Sequence, residues 1–352
     1  PAYNIASVFR ITGELDREAL QCSLNDIVRR HESLRTFFRL VNGDVAGIIS
    51  GPAPVEIAET DLTDRAGEKA GKEAESIISD LVNRPFKLDE YPLYRNSLIR
   101  VSSGEHYLVL VVHHIIIDME SHDILSRELS LLYNNSRNKD GNGISLPVTR
   151  YSDFSIVQKK LIEENRYASL VEYWKKALAG QSGYLNLPLD HPRPPVDTEH
   201  GDMLRMDIPD EVVSGMEALS RTLNVNLFTL MLAAYVVILN RFSGQSDITV
   251  GVPLTNRRED EWKNTMGCFV NIVPIAVDVA GDREFRDVLG DVRRAMLGAH
   301  RNQELPFRML MQEIKQKRDP AYNPLFQAGF TLEHPMDLRL QGLEVEPLKI
   351  RR

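Results

Sequence analysis

Two adjacent histidines, His113 and His114, end the apolar run Tyr107 to Val112, and Asp118 follows four residues later, just ahead of a helix-forming stretch. This is the densest polar cluster attached to a buried-looking strand. Successive strand side chains point to opposite faces. One histidine must therefore face the core while the other meets whatever lies beyond the sheet edge. A histidine at a strand end beside a cleft suits a general base, because its unperturbed pKa lies near neutrality. The competing reading is a structural pair satisfied by backbone. A metal site built from His113, His114 and Asp118 is disfavoured, since the histidines diverge and no further ligand motif occurs. A Ser-His-Asp hydrolase lacks its Gly-x-Ser-x-Gly elbow. Neither Gly-x-Gly-x-x-Gly nor a phosphate-loop lysine motif is present, which weakens nucleotide-dependent readings.

Alternating strands and helices must carry that cluster. Ile5 to Ile11 reads as a strand, and Asp16 then caps a helix whose Leu20, Leu24, Ile27 and Val28 share one face. Leu34 to Leu40 returns as a strand closed by Asn42–Gly43, and Glu68 to Asn83 is an amphipathic helix ended by Pro85. Leu98 to Val101 and Tyr107 to Val112 have the near-continuous apolar character of strands in a covered sheet. A helix over Ser121 to Tyr133 leads into a polar loop, Asn134 to Ser145, and helical character resumes from Tyr151 to Leu178. Leu185 to Asp202 holds four prolines and is the best linker candidate. Beyond it come two helices within Asp210 to Phe242, strands at Ile248 to Leu254 and Asn271 to Val279, and helices at Phe285 to Arg301 and Phe307 to Ile314. Leu325 to Leu332 and Leu343 to Ile350 read as the last strands. The expected organisation is two α/β lobes, 1–178 with the histidine cluster and 179–352.

Composition narrows the function classes. The chain has 352 residues, 43% hydrophobic and 26% charged, which is ordinary globular usage and excludes wholesale disorder. No apolar run reaches the ~18–20 residues of a membrane span, and the richest, Leu227 to Leu239, reads as a buried helix. Forty-two basic against 50 acidic side chains leave a net charge of −8, which argues against nucleic acid or an anionic membrane as main partner. Cys22 and Cys268 supply neither a disulfide framework nor a zinc set, so a reducing cytoplasm is the default. No export signal opens the chain, and a start inside a strand at Pro1–Ile5 suggests a fragment.

His113–His114–x–x–x–Asp118 resembles the HHxxxDG signature of the condensation domains of nonribosomal peptide synthetases, within the superfamily shaped like chloramphenicol acetyltransferase. Other family motifs occur in order. Arg30–His31–Glu32–Ser33–Leu34–Arg35–Thr36–Phe37 is similar to RHExLRTxF, and Tyr151–Ser152–Asp153–Phe154 to YxDF. Gly251–Val252–Pro253 with Arg257 resembles G-x-P-x-x-x-R, and Gly267–Cys268–Phe269–Val270–Asn271 resembles GxFVN. Asn302–Gln303–Glu304–Leu305–Pro306–Phe307 is similar to NQDxPF, and Arg318–Asp319 with Asn323–Pro324–Leu325–Phe326 to RDxSRNPLF. The match runs nearly end to end. Two departures stand out. The family's first motif and the usual segment after Ile350 are missing, as expected of the central part of such a domain. Met119 occupies the position where the signature has glycine.

The resemblance implies two chloramphenicol-acetyltransferase-like α/β lobes forming a V, with a tunnel that admits two phosphopantetheine arms. The activity implied is an acyltransferase reaction that joins a carrier-bound donor acyl or peptidyl thioester to a carrier-bound acceptor amine. No metal and no directly bound cofactor is implied. The implied partners are the upstream and downstream peptidyl or acyl carrier proteins and an adjacent adenylation domain, within a monomeric multidomain chain. His114 matches the tunnel-facing histidine, as general base or as a group that orients the amine; His113 faces the other way. Asp118 is expected to be structural, paired with an arginine of the Arg30–Arg35 segment, first of all Arg35. Met119, Asn323 and Arg257 match positions that line the tunnel, whereas Tyr151 and Asn271 are scaffold residues. Related readings are an ester-forming or epimerising acyltransferase and a non-catalytic docking module. A heterocyclising variant, which replaces both histidines with aspartates, does not fit.

Overall fold

The computed structural model describes residues 2–65, 67–138, 149–196, 198, 201–281, 283–314 and 319–348. The polar loop beyond residue 138, part of the 185–202 segment, Arg318 and Ile350 lie outside these. The chain forms two compact units that share it discontinuously. The first comprises Pro1–Gln158, Arg257–Phe269 and Glu333–Arg352, and the second Lys159–Asn256 and Val270–Leu332. This differs from a division into 1–178 and 179–352 and from a crossing at the proline-rich segment. The physical reason is packing: Tyr167, Trp174, Leu178 and Leu185 are all buried in the second unit's core.

In the first unit, strand β1 (Asn4–Thr12) is followed by helix α1 (Arg17–Arg30), whose N-cap Asp16 accepts from the Ala19 amide as the sequence leads one to expect. A 3-10 turn over Glu32–Arg35 delays β2 to Thr36–Val41, which pairs with β3 (Asp44–Ile49) as a separate hairpin. Next come β4 (Ile57–Asp61), α2 (Gly67–Asn83), β5 (Tyr94–Ser102) and β6 (Glu105–His113). Helix α3 (Met119–Asn138) runs past the expected end into the segment that reads as a loop. β10 (Glu344–Pro347) completes a five-stranded sheet of order β10-β1-β6-β5-β4, with β4 and β5 parallel and the other pairs antiparallel. Strand alternation is plain in β6. Leu108, Leu110 and Val112 join the core made with α1 and α3, while Val109 and Val111 join the one made with α2. With both faces covered, β6 needs apolar residues at every position, and that is why its sequence is nearly continuous in them.

Helices α4 (Tyr151–Glu163) and α5 (Ala168–Ala177) replace the single expected helix. The second unit continues with α6 (Asp210–Thr222), α7 (Leu227–Ser243), β7 (Asp247–Leu254), β8 (Asn271–Asp278), α8 (Phe285–Arg301), α9 (Phe307–Glu313) and β9 (Ala328–Gly329). The sheet order is β8-β7-β9, and β9 is far shorter than the Leu325 to Leu332 strand the sequence suggests. Asn226 caps α7, whose Leu230, Leu232, Ala233, Val236 and Leu239 are buried. Among the described residues no single helix is long and apolar enough to cross a membrane; α6 and α7 pass that test only as a pair bent by 107°.

Gly251 in β7 lies where a Cβ would overlap the Phe326 ring. Phe326 is buried against Phe307 and has little room to yield. Gly251→Ala is therefore expected to destabilise the second unit by about 1–3 kcal/mol, the usual cost of overpacking. Denaturant unfolding followed by circular dichroism measures it, and wild-type stability in that variant would show that the ring moves freely.

Candidate active site

The histidine cluster begins where β6 runs out. The His113 amide still donates to Leu93 O at 2.9 Å, and the His114 amide donates to Tyr3 O at 2.8 Å. The chain then tightens into a 3-10 turn over His114–Ile116. Continuing the β6 alternation puts His113 on the α2 side, where its ring meets Phe86 edge-on with centroids 6.0 Å apart and lies 6.1 Å from Tyr3. Its Nδ1 accepts from the Ile115 amide at 3.0 Å. Burial, and then the neighbouring His114, hold its pKa below the ordinary histidine value. A neutral ring with Nδ1 as acceptor is what that hydrogen bond requires. His114 turns elsewhere: it is half-buried, and its Nδ1 lies 3.9 Å from Cys268 Sγ.

Asp118 is buried and caps α3, its Oδ1 accepting from the Ser121 amide at 2.9 Å and from Ser121 Oγ at 2.7 Å. Its charge partner is Arg257, not Arg35. Arg257 Nη1 donates to Oδ2 at 2.7 Å and Nη2 to Oδ1 at 2.9 Å, a bidentate pair in which both side chains are 3% exposed. The Phe269 amide adds a donor to Oδ2 at 2.9 Å, and the guanidinium sits over the Phe269 ring at 4.1 Å. Arg35 serves instead at the end of α1, where Nε donates to Val28 O at 3.1 Å and Nη1 to Ser50 O. Its guanidinium is engaged with backbone carbonyls, so it is not available to a carboxylate on α3. Arg257 likewise departs from its expected place on a substrate path, because all of its side chain is buried around Asp118.

Ser121 escapes sequence reasoning. Its hydroxyl accepts from Arg257 Nη2 at 2.8 Å and from the Gly267 amide at 3.0 Å, with Asp118 Oδ1 and Gly267 O both in reach of its proton. The available signal is its place three residues after an N-cap. Cys268 next to His114 has no signal beyond lying in a motif. The backbone of residues 267–269 is pinned throughout: Gly267 by Ser121, Cys268 O by the Tyr151 hydroxyl at 2.8 Å, and Phe269 N by Asp118. Gly267 is required here because a Cβ would overlap the Tyr151 ring. Burial pushes the Tyr151 hydroxyl pKa up, and pushes the Cys268 thiol up to about 12.

The remaining motif residues separate. The Asn271 side chain donates to Gln303 O and Leu305 O, each at 2.7 Å, and accepts from the Phe307 amide at 3.1 Å, a scaffold role within the second unit. Asn323 belongs to the same unit and is exposed. Met119 is the first residue of α3, half-buried and helical, so the glycine that the signature carries is not needed for the turn. Arg30 Nε and His31 Nε2 grip the buried Glu128 of α3 at 3.0 and 2.7 Å, and Glu32 accepts from the Ser152 amide at 2.8 Å. Among the described residues no group of three or more His, Cys, Asp or Glu side chains could hold a metal ion.

Two α/β units, with a histidine delivered by a buried strand and an ion-paired aspartate just beyond it, agree with the chloramphenicol-acetyltransferase-like fold that the resemblance implies. A family model described as Condensation domain matches residues 1–346. Tyrocidine synthase 3 of Brevibacillus parabrevis is 33% identical over 331 residues, covering 94% of this chain and 5% of that protein. Surfactin synthase subunit 1 of Bacillus subtilis (strain 168) is 33% identical, covering 100% of this chain and 10% of that protein. The chain thus spans a small part of the curated relatives it matches. The first condensation domain of the CDA synthetase superposes with a TM-score of 0.77 at 20% identity, covering 99% of this chain and 81% of that one, a likeness of fold. The chain belongs to the condensation-domain family of nonribosomal peptide synthetases.

Removing one member of a buried pair strands the other charge at a cost of about 3–5 kcal/mol. Asp118→Ala and Arg257→Ala are each expected to lose about that much, and the double variant little more than either alone. Arg35→Ala combined with Asp118→Ala is expected to be additive. Denaturant unfolding of the variants checks both statements.

Proposed function

We propose that the chain joins a donor acyl or peptidyl thioester to an acceptor amine, each presented on the phosphopantetheine arm of a carrier protein. The acceptor nitrogen attacks the donor carbonyl, the carbon–sulfur bond breaks, and the products are an amide on the acceptor carrier and a free thiol on the donor arm. Holding two tethered reactants together supplies much of the rate. What remains is to take the proton from the attacking amine, and His114 is the group assigned to that step. The observation that carries this assignment is the division of labour along residues 113–118. His113 is tied through Nδ1 to the backbone and through its ring to Phe86 and Tyr3, Asp118 is consumed by capping and by Arg257, and the His114 ring makes only the long contact to Cys268 among the described residues. The thiol leaves with the proton that the imidazole has held, which returns His114 to its starting form.

Membership of the family supports upstream and downstream carriers and an adjacent adenylation domain as partners, in a cytoplasmic multidomain chain. No cofactor beyond the carrier-borne arms enters this reaction. Met119 and Asn323 are assigned to the substrate path, with Met119 narrowing it beside His114. Arg257 is left out of that path for the reasons given above.

The test supplies the chain with both loaded carriers and follows the amide by mass spectrometry; no product with wild type would refute the reading. His114→Ala is expected to fold and melt like wild type while losing about 100-fold or more in single-turnover rate, the low end for a lost acid–base group. A rate near wild type in that variant would remove His114 from the chemistry. Met119→Gly is expected to broaden acceptance across acceptors of graded size, at about 0.5–1 kcal/mol of stability for glycine in a helix. An unchanged selectivity profile would show that Met119 does not gate.

A further inference from the structure

A thiol lies beside the His114 ring. Cys268 Sγ lies 3.9 Å from His114 Nδ1, within the longer reach of a sulfur contact. Three anchors hold the sulfur there. The residue before Cys268 is bonded through its amide and carbonyl to Ser121, the carbonyl of Cys268 accepts from Tyr151, and the amide of the residue after it donates to Asp118. Tyr151 cannot drift, because its ring fills the space beside Gly267 where any side chain would stand. The backbone that carries the sulfur is therefore fixed. Burial pushes its pKa up to about 12, so it stays a neutral thiol and does not form a thiolate–imidazolium pair with His114.

A ring has two distinct nitrogens, and the partner of one decides what the other can do. We propose that Cys268 is a positioning residue for His114: its sulfur receives Nδ1–H, which leaves the lone pair on Nε2 to meet the acceptor amine. The inference rests on the condensation reading, since it assigns the reacting nitrogen of that step. It also gives Asp118 a route to the chemistry. The carboxylate never touches the reactants; it holds Arg257, Ser121 and the Phe269 amide, these hold residues 267–269, and the thiol of Cys268 sets the imidazole. The sulfur contact is individually weak. Its effect is to choose between two tautomers and a rotated ring, for which a small bias on a fixed frame suffices.

The experiment labels the chain with 15N-histidine, assigns His114 with His114→Gln, and compares wild type with Cys268→Ala and Cys268→Ser. Wild type is expected to carry the neutral-ring proton on Nδ1 of His114. Both variants are expected to melt like wild type and to show mixed tautomers for His114. Their kcat is expected to fall in proportion to the fraction of His114 that leaves the competent tautomer and rotamer, roughly 2- to 10-fold, with KM unchanged. A wild-type proton on Nε2, or His114 resonances unmoved in both variants, overturns the proposal. If the tautomer switches but wild type forms no amide, the condensation reading fails and the positioning stands. If amide forms and neither the tautomer nor kcat responds, the positioning fails alone. Should Cys268→Ala unfold, the wild-type spectrum and Cys268→Ser still decide.

Discussion

Putting a carboxylate and a guanidinium together out of water is tolerable only when both are saturated with partners, because desolvation otherwise exceeds their attraction. Asp118 meets that condition in full and Arg257 nearly so: both carboxylate oxygens are occupied, and the guanidinium is stacked on Phe269 and hydrogen-bonded through both Nη atoms, with only the buried Nε left without a partner. The pair dictates what surrounds it. Ser121 must supply a hydroxyl, residue 267 must be glycine so that Tyr151 can close over the strap, and Arg257–Phe269 must belong to the first unit although the chain on either side of it belongs to the second. Such pairs are weak contributors to net stability compared with apolar replacements. What this one supplies is a defined place for a short stretch of backbone. Ordinary apolar packing would hold the stretch less specifically.

The other motifs prove to be halves of contacts of the same kind. Arg30 and His31 meet Glu128, Glu32 meets the first turn of α4, Gly251 makes room for Phe326, and Asn271 closes on residues 303–307. Each joins segments far apart in sequence and uses a side chain whose replacement would leave a buried donor, acceptor or clash. That explains why so few of these residues do chemistry. A polar residue in a buried contact has few substitutes, because losing its partner exposes the full cost of desolvation.

Much of the local architecture is legible in the sequence. The Asp16 cap, the amphipathic α1 and α2, the doubly buried β6 and the break between α6 and α7 all follow from periodicity and capping, which are local properties. Sequence reasoning errs where a non-local contact decides. For Asp118 the family motif over residues 30–37 offers Arg35, whereas the true partner, Arg257, lies 139 residues away in sequence, in another motif. Proline content marks 185–202 as a boundary, yet Leu185 is buried in the second unit's core, and the division falls within α4, where nothing in the sequence breaks the helix. Met119 reads as a departure from the signature's glycine. It sits at the first position of an ordinary helix, where the backbone does not require glycine.

The His113–Asp118 segment shows how one turn of chain serves three physical ends. The last ladder positions of β6 fix its start, since the amides of His113 and His114 still bond across to Leu93 and Tyr3. The cap and the ion pair at Asp118 fix its end. Between them a 3-10 turn has few conformations left, so the two side chains leave the backbone in different directions. The ring that points into packing is kept neutral by burial and is satisfied by a backbone amide. The other is left beside a neutral thiol with its far nitrogen uncommitted. The aspartate's place in the signature follows from the mount: it stands where the helix must start, just after the histidines, and both of its oxygens are taken up there by the cap, Arg257 and the Phe269 amide.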